Sequence, residues 1–186
     1  FPSGRFSGTA FAVRTDPTGA YLVTNRHVVT SEQGEEPVEI GVMFNNSNQF
    51  FRATLVRRHP DSRVDLALLR VAIRGGVDDV VAVNGTTPAI GTPVVTIGFP
   101  MGTDLQGFDD LSRTGAKATL TAGTVSRETN DLIQVDGYGA TGASGSPFFN
   151  AAGEVVAVLY GGERESNGRI IYAVPASRIA ELLQGE

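Results

Sequence analysis

Only one stretch of this chain has the spacing of an amphipathic helix. Behind Pro175, the apolar residues Ile179, Leu182 and Leu183 fall at i, i+3 and i+4, a single stripe suited to docking on a larger body. Everything before it is short runs rich in Val and Thr, broken again and again by turn residues. With 23 glycines and 9 prolines in 186 residues, there is no room for helices alternating with strands. The pattern predicts an all-β barrel or sandwich with many turns. A chain of this length makes one compact unit, or two small halves sharing a cleft, and buries most of its apolar side chains without covalent staples.

The runs can be placed in order. Ser7 to Val13 reads as a strand opened by a small-residue turn, Asp16-Pro17-Thr18-Gly19 as a turn, and Ala20 to Thr24 as the return strand. Val38 to Phe44 alternates as a half-buried strand should, and Phe50 to Arg58 follows it. Val64 to Val71 is a strongly apolar strand with Asp65 near its start. Asn84-Gly85 and Pro88 mark a crossing to a second half, where Gly91 to Phe99, Lys117 to Arg127, Asp131 to Asp136, Gly153 to Tyr160 and Arg169 to Val174 are further strands. Ten runs are placed in this way, five on each side of the crossover, and the expected plan is six strands, a crossover, six strands and a helix. Met101 to Gly115 is a long mixed loop, either a substrate-side lid or a mobile hairpin tip.

Several functions are excluded by what is missing. The net charge is −5 and Arg57-Arg58 is the sole adjacent basic pair, so no nucleic-acid footprint is present. No apolar run reaches membrane-spanning length and no secretory signal is visible, which fits an intracellular bacterial protein while leaving the compartment open. The chain has no cysteine, hence no disulfide, no thiol catalysis and no Cys-ligated zinc. No metal or other cofactor is expected.

What remains is a set of three residues that are ambiguous singly. Gly142-Ala143-Ser144-Gly145-Ser146-Pro147 suits a tight turn poor in side chains, with backbone N–H groups free to face a ligand oxygen and one hydroxyl standing clear. His27 follows an apolar strand, where a wall meets its rim. Asp65, beside buried-type residues, is costly unless something pairs with it. Together they lie at strand ends or turns in the order His, Asp, Ser, the first two in the first half and the third in the second. That arrangement builds a nucleophile, base and orienter across a cleft. An α/β-hydrolase is excluded by chain order, by Ser146 standing two residues beyond Ser144, and by the missing helices. His59, the other histidine, precedes Pro60 in a polar loop and reads as structural.

Ser-Gly-Thr-Ala-Phe near the start, Val-Thr-Asn-Arg-His-Val-Val, Asp-Leu-Ala-Leu-Leu and Gly-Ala-Ser-Gly-Ser-Pro-Phe-Phe-Asn resemble the trypsin-like serine proteases, and within them the bacterial HtrA/Deg and glutamyl-endopeptidase branches. The resemblance implies two six-stranded antiparallel β-barrels of the chymotrypsin type with a short C-terminal helix. Residues 1–86 would form the first barrel and 87–186 the second with the helix, together one protease domain. It further implies His27 as general base and acid, Asp65 as its orienter and Ser144 as nucleophile. The oxyanion hole falls at Gly142, Ala143 and Ser144, its donors being the N–H groups of Gly142 and Ser144. Tyr138, Ala140, Thr141, Leu159, Tyr160, Gly161, Gly162 and Ile170 would bind substrate, with Leu159 to Gly162 pairing to its backbone as an added strand. Physical chemistry agrees with these roles, because a serine hydroxyl is a poor nucleophile until a neutral imidazole takes its proton.

The chain departs from the pattern in three places. Ala143 stands where relatives usually carry Asn or Asp, no PDZ segment follows the helix, and Phe1 is not the Ile-Val start of the digestive trypsins. No carboxylate occurs among the pocket residues, and Leu159 and Ala140 stand where glutamyl endopeptidases use His and Thr. The expected preference is therefore for Val, Ala, Ile or Leu at P1, in a polypeptide substrate. The reading of a different class is a trypsin-fold binding or scaffold domain with a latent triad, or a zymogen-like module of a larger protein with further domains.

Overall fold

In the computed structural model, residues 1–2, 4, 6–31, 33–100, 115–140 and 142–184 are described. The loop 101–114 and the substrate-binding candidate Thr141 lie outside them. Five strands come from the first half: β1 (Phe11–Asp16), β2 (Gly19–Thr24), β3 (Ile40–Met43), β4 (Phe50–Arg58) and β5 (Ala67–Ala72). Six come from the second: β6 (Pro93–Gly98), β7 (Thr119–Glu128), β8 (Ile133–Asp136), β9 (Pro147–Phe149), β10 (Val155–Gly162) and β11 (Ile170–Pro175). The expected helix follows as α1 (Ser177–Leu183), with Ile179 and Leu182 fully buried.

The second half closes into an antiparallel barrel in the order β10-β11-β8-β7-β6-β9. The first half differs from expectation. Where six strands were to close, the described residues form an open five-stranded antiparallel sheet, β1-β2-β5-β4-β3. The physical reason lies in residues 81–84, which spend their hydrogen bonds as a bridge rather than as a strand. Val81 N–H donates to Ala12 O at 2.9 Å, whereas Asn84 N–H donates to Val155 O and Val155 N–H to Ala82 O, both at 2.8 Å. This segment therefore ties β1 to β10 and leaves the first sheet one strand short. Val38, expected in the third strand, is 78% exposed and lies outside β3.

The β1–β2 turn is fixed as its residues suggest. Asp16 Oδ1 accepts from the Thr18 N–H at 2.7 Å, and the Arg70 guanidinium holds both carboxylate oxygens. Three buried clusters hold the body together. One lies within the sheet (Ala20, Leu22, Leu69, Val71 and neighbours) and one within the barrel, around Phe148, Ile133 and Ile171. The third joins the halves: Phe11, Val23, Val64, Leu66 and Leu68 pack with Val155, Val158, Val174, Ile179 and Leu182. The terminal helix thus lies on a core built by both halves, and the seam between them runs beside His27, Asp65 and Ser144.

Candidate active site

His27 follows β2 directly, at the start of a single 3-10 turn (His27–Val29). Asp65 stands just before β5, between Val64 and the fully buried Leu66. This stretch is not the strand expected from its apolar pattern. Val64 N–H donates to Asp61 O and Leu66 N–H to Val64 O, so it turns tightly before entering β5. The turn aims the Asp65 carboxylate at the end of β2. Its Oδ1 accepts the His27 main-chain N–H at 2.9 Å, and its Oδ2 accepts from the ring Nδ1 at 2.6 Å. A carboxylate can only accept, so Nδ1 carries a proton, and in the neutral form of the ring Nε2 is the nitrogen with the free lone pair. The imidazole is about half exposed (48%) and the carboxylate less so (22%). Asn25, wholly buried, steadies the pair by donating from Nδ2 to Asp65 O at 2.8 Å.

The Ser144 turn is built from glycines in the left-handed region, Gly142 at φ +88° and Gly145 at φ +89°. An added Cβ on Gly145 would lie 2.0 Å from Thr9 O, so close is the packing of the turn on the first half. Within the turn, Ala143 N–H donates to Ala140 O (3.0 Å), Gly145 N–H to Leu159 O (2.8 Å) and Ser146 N–H to Ala143 O (2.9 Å). Among the described residues the N–H groups of Gly142 and Ser144 have no acceptor. Of the three oxyanion candidates, Ala143 has its amide committed and its side chain in the barrel core.

Ser144 is brought beside the His27 turn. Both pack against Gly8, where an added Cβ would lie 2.7 Å from the Val28 side chain and 3.2 Å from Ser144 O. The Ser144 hydroxyl faces Tyr160 O at 3.5 Å, the outer limit of a hydrogen bond. Among the described residues no hydrogen bond joins it to His27.

The substrate-binding candidates fall into two connected edges. Gly137 and Gly139 donate to Arg169 O and Gly168 O, each at 3.0 Å, which sets Tyr138 and Ala140 alongside Ile170. Tyr138 is mostly exposed, at 57%. On the other edge, Leu159 is in the core, with its N–H bonded to Ser146 O and its carbonyl to Gly145 N–H. A register break then lifts Tyr160 out of the ladder, and Gly161 and Gly162 pair with Tyr172 and Ile171 of β11. The opposite neighbour, β9, pairs with β10 only as far as Val158, and among the described residues no strand pairs with Tyr160 to Gly162 on that side. The Tyr160 ring stacks on Tyr172, with centroids 6.3 Å apart. Burial above all, then Tyr172 and the Asp65 charge, push the Tyr160 phenol above its ordinary pKa.

His59 lies apart from this constellation. Its ring is buried, Nδ1 accepts the Asp61 N–H at 3.1 Å, and Nε2 lies 3.4 Å from a Glu181 carboxylate oxygen of α1. Arg63 holds the Asp61 carboxyl well below its usual range. Among the described residues, no cluster of His, Asp or Glu could hold a metal ion and no helix is long and apolar enough to cross a membrane. Two site-supporting residues, Thr9 and Asn25, escape sequence reasoning. Both lie in stretches that carry the family resemblance, but each acts through a partner distant in the chain (Thr9 bonds a carbonyl 133 residues away), so local pattern does not reveal what it does.

Residues 8–158 match the trypsin-like peptidase domain family. A Rhizobium meliloti protein named as a probable periplasmic serine endoprotease, DegP-like, is 32% identical over 183 residues, covering 93% of this chain and 32% of its own. The Do-like serine protease HtrA of Bacillus subtilis is 30% identical over 168 residues, covering 84% of this chain and 33% of its own. The chain thus spans about a third of the length of these curated relatives. Among solved structures, a serine endoprotease from Yersinia pestis superposes with TM-score 0.71 at 25% identity, over 96% of this chain and 58% of that one. A Mycobacterium tuberculosis protein, solved as an inactive mutant, shares the fold with TM-score 0.71 at 20% identity, over 95% of this chain and 79% of that one.

Proposed function

This chain belongs to the trypsin-like peptidase family, and from that membership we propose that it is a serine endopeptidase acting on polypeptides through an acyl-enzyme. The observation that carries the reading is the His27–Asp65 pair: one carboxylate holds both the main-chain N–H and the ring Nδ1 of His27, leaving Nε2 as a base. Residues 1–86 supply His27 and Asp65 and 87–186 supply Ser144, the two acting as one protease unit.

In this mechanism a χ1 rotation carries the Ser144 hydroxyl from Tyr160 O to His27 Nε2 as substrate enters. Oγ attacks the scissile carbonyl carbon and its proton passes to Nε2. The carbonyl oxygen gathers negative charge against the unengaged N–H groups of Gly142 and Ser144. Collapse breaks the C–N bond, His27 returns the proton to the departing amine, and water then frees the acyl group by the same steps in reverse. The substrate backbone lies as an added strand along Tyr160 to Gly162, on the side away from β11. With no carboxylate among Tyr138, Ala140, Thr141, Leu159, Tyr160, Gly161, Gly162 and Ile170, the pocket lacks a counter-charge for Lys or Arg. Small or aliphatic P1 residues are favoured. A peptide-library profile dominated by Glu, Lys or Arg refutes this preference.

A second reading is supported by the direction of the Ser144 hydroxyl, which faces Tyr160 O rather than His27. On it the module is catalytically latent, a scaffold or zymogen-like unit of a larger protein. A fluorophosphonate separates the two. Labelling that disappears in Ser144→Ala is expected of the peptidase, whereas absence of labelling between about pH 6 and 9 indicates the latent module.

A further inference from the structure

We propose that Thr9 is the positioning residue of the oxyanion hole, clamping the Gly142 and Ser144 carbonyls of the nucleophile turn from the opposite half of the molecule. Thr9 is 3% exposed. Its main-chain N–H donates to Ser144 O at 2.7 Å, and its hydroxyl donates to Gly142 O at 3.0 Å. The same hydroxyl accepts the Phe99 N–H at 3.0 Å, and Thr9 O accepts from Thr24 Oγ1 at 2.7 Å. One residue therefore joins the end of β2, the end of β6 and the nucleophile turn, with every polar atom of Thr9 engaged. Gly98 leaves the space this needs, since an added Cβ there would lie 1.9 Å from Ser146 Oγ and 3.1 Å from Thr9 Oγ1.

The consequence for the turn follows from its hydrogen bonds. Holding the Gly142 and Ser144 carbonyls fixes the backbone on both sides of the Ala143–Ser144 amide, and the Ala143 N–H is fixed in turn by Ala140 O. Glycine at 142 would otherwise let that carbonyl swing freely. With the clamp closed, the N–H groups of Gly142 and Ser144, two residues apart in the chain, stay without acceptors among the described residues before any substrate arrives. Such preorganisation is what makes an oxyanion hole effective, because no reorientation is required as charge develops. The same hydroxyl couples the hole to the seam, so movement between the halves disturbs it directly. The inference rests on the reading of Ser144 as nucleophile.

The test compares Thr9→Val, which deletes the hydroxyl at nearly constant shape, with Thr9→Ser, which keeps it. Cleavage of an unfolded casein is expected to lose roughly 10- to 100-fold in kcat for Thr9→Val, below the ~10²–10³ that follows outright loss of an oxyanion donor. KM stays within about twofold, the split expected when an interaction acts only in the transition state. Thr9→Ser restores most of the lost rate, and the shape of the pH–rate profile is unchanged in both variants. A folded Thr9→Val with wild-type kcat overturns the proposal, as does a Thr9→Ser as impaired as Thr9→Val. Thr9→Ala replaces Val if Val does not fold, and failure of both to fold overturns the positioning role in favour of a scaffolding one. Should the wild-type protein neither cleave nor take up fluorophosphonate, the peptidase reading is what fails. Hydrogen exchange then decides the clamp alone: faster exchange at Ala143 and Gly145 in Thr9→Val supports it, and unchanged exchange overturns it.

Discussion

Replacing Asp65 by Asn isolates the orienting role of the carboxylate with almost no change in shape. The carboxylate offers two acceptors, whereas an amide offers one acceptor and one donor. The His27 main-chain N–H, 2.9 Å from Oδ1, can only donate, so the amide oxygen must remain there. That places the NH2 group against the ring nitrogen now 2.6 Å from Oδ2. To avoid two donors face to face, Nδ1 must become the acceptor, and the ring proton moves to Nε2. The base that should receive the Ser144 proton then already holds one. In the serine-protease template this exchange costs about 10⁴ in kcat, equivalent to about 5.5 kcal/mol of transition-state stabilisation. KM changes little, and urea unfolding shifts by less than about 1 kcal/mol because both hydrogen bonds persist in altered form. The assay is kcat on an unfolded casein, with ring 15N shifts reporting the tautomer. A folded Asp65→Asn retaining more than about a tenth of wild-type kcat refutes the reasoning, since no preserved Nε2 base is compatible with that hydrogen-bond arrangement.

Two further outcomes test the scaffold. Gly145→Ala places a methyl 2.0 Å from Thr9 O at φ +89°; left-handed strain and overpacking together predict a loss of about 2–5 kcal/mol in urea unfolding, accompanied by loss of activity. A midpoint shifted by under about 0.5 kcal/mol contradicts it. At the β1–β2 turn, hydrogen bonds from Thr18 and then the Arg70 charge hold the Asp16 carboxyl below its ordinary pKa of 3.8. A depressed carboxylate adds stability that is complete above its unfolded pKa and lost as pH falls through the folded one. Thermal melts below about pH 4 should therefore show a shallower acid dependence for Asp16→Asn than for wild type, and equal slopes count against this linkage.

Much of this architecture can be read from short-range pattern. Val and Thr runs punctuated by Gly and Pro mark most strands within a few residues, and the spacing of Ile179, Leu182 and Leu183 marks the helix. The errors share a cause. Val64 and Leu66 look like strand residues because they are buried, yet their burial comes from the core between the halves while their backbones make a local turn. Periodicity reports which residues leave water, not what their N–H groups bond to. Residues 81–84 divide their hydrogen bonds between β1 and β10, an arrangement set by tertiary placement that no local pattern announces. At the site, His27, Asp65 and the Ser144 turn carry local signatures. The roles of Thr9 and Asn25 are not local, because each is set by a partner distant in the chain, the Gly142 carbonyl for Thr9 and the Asp65 carbonyl for Asn25. The committed Ala143 amide and the enclosed Leu159 backbone likewise depend on neighbours that only folding assembles.

The last helix packs Ile179 and Leu182 into one cluster with Phe11, Val23 and Leu68, residues that lie far earlier in the chain. While the nascent chain is still emerging, its early strands cannot complete their packing and the nucleophile turn has no settled half to close against. On the proposed function, a chain that stops short of Leu182 is expected to be inactive, because the core its two halves share is incomplete.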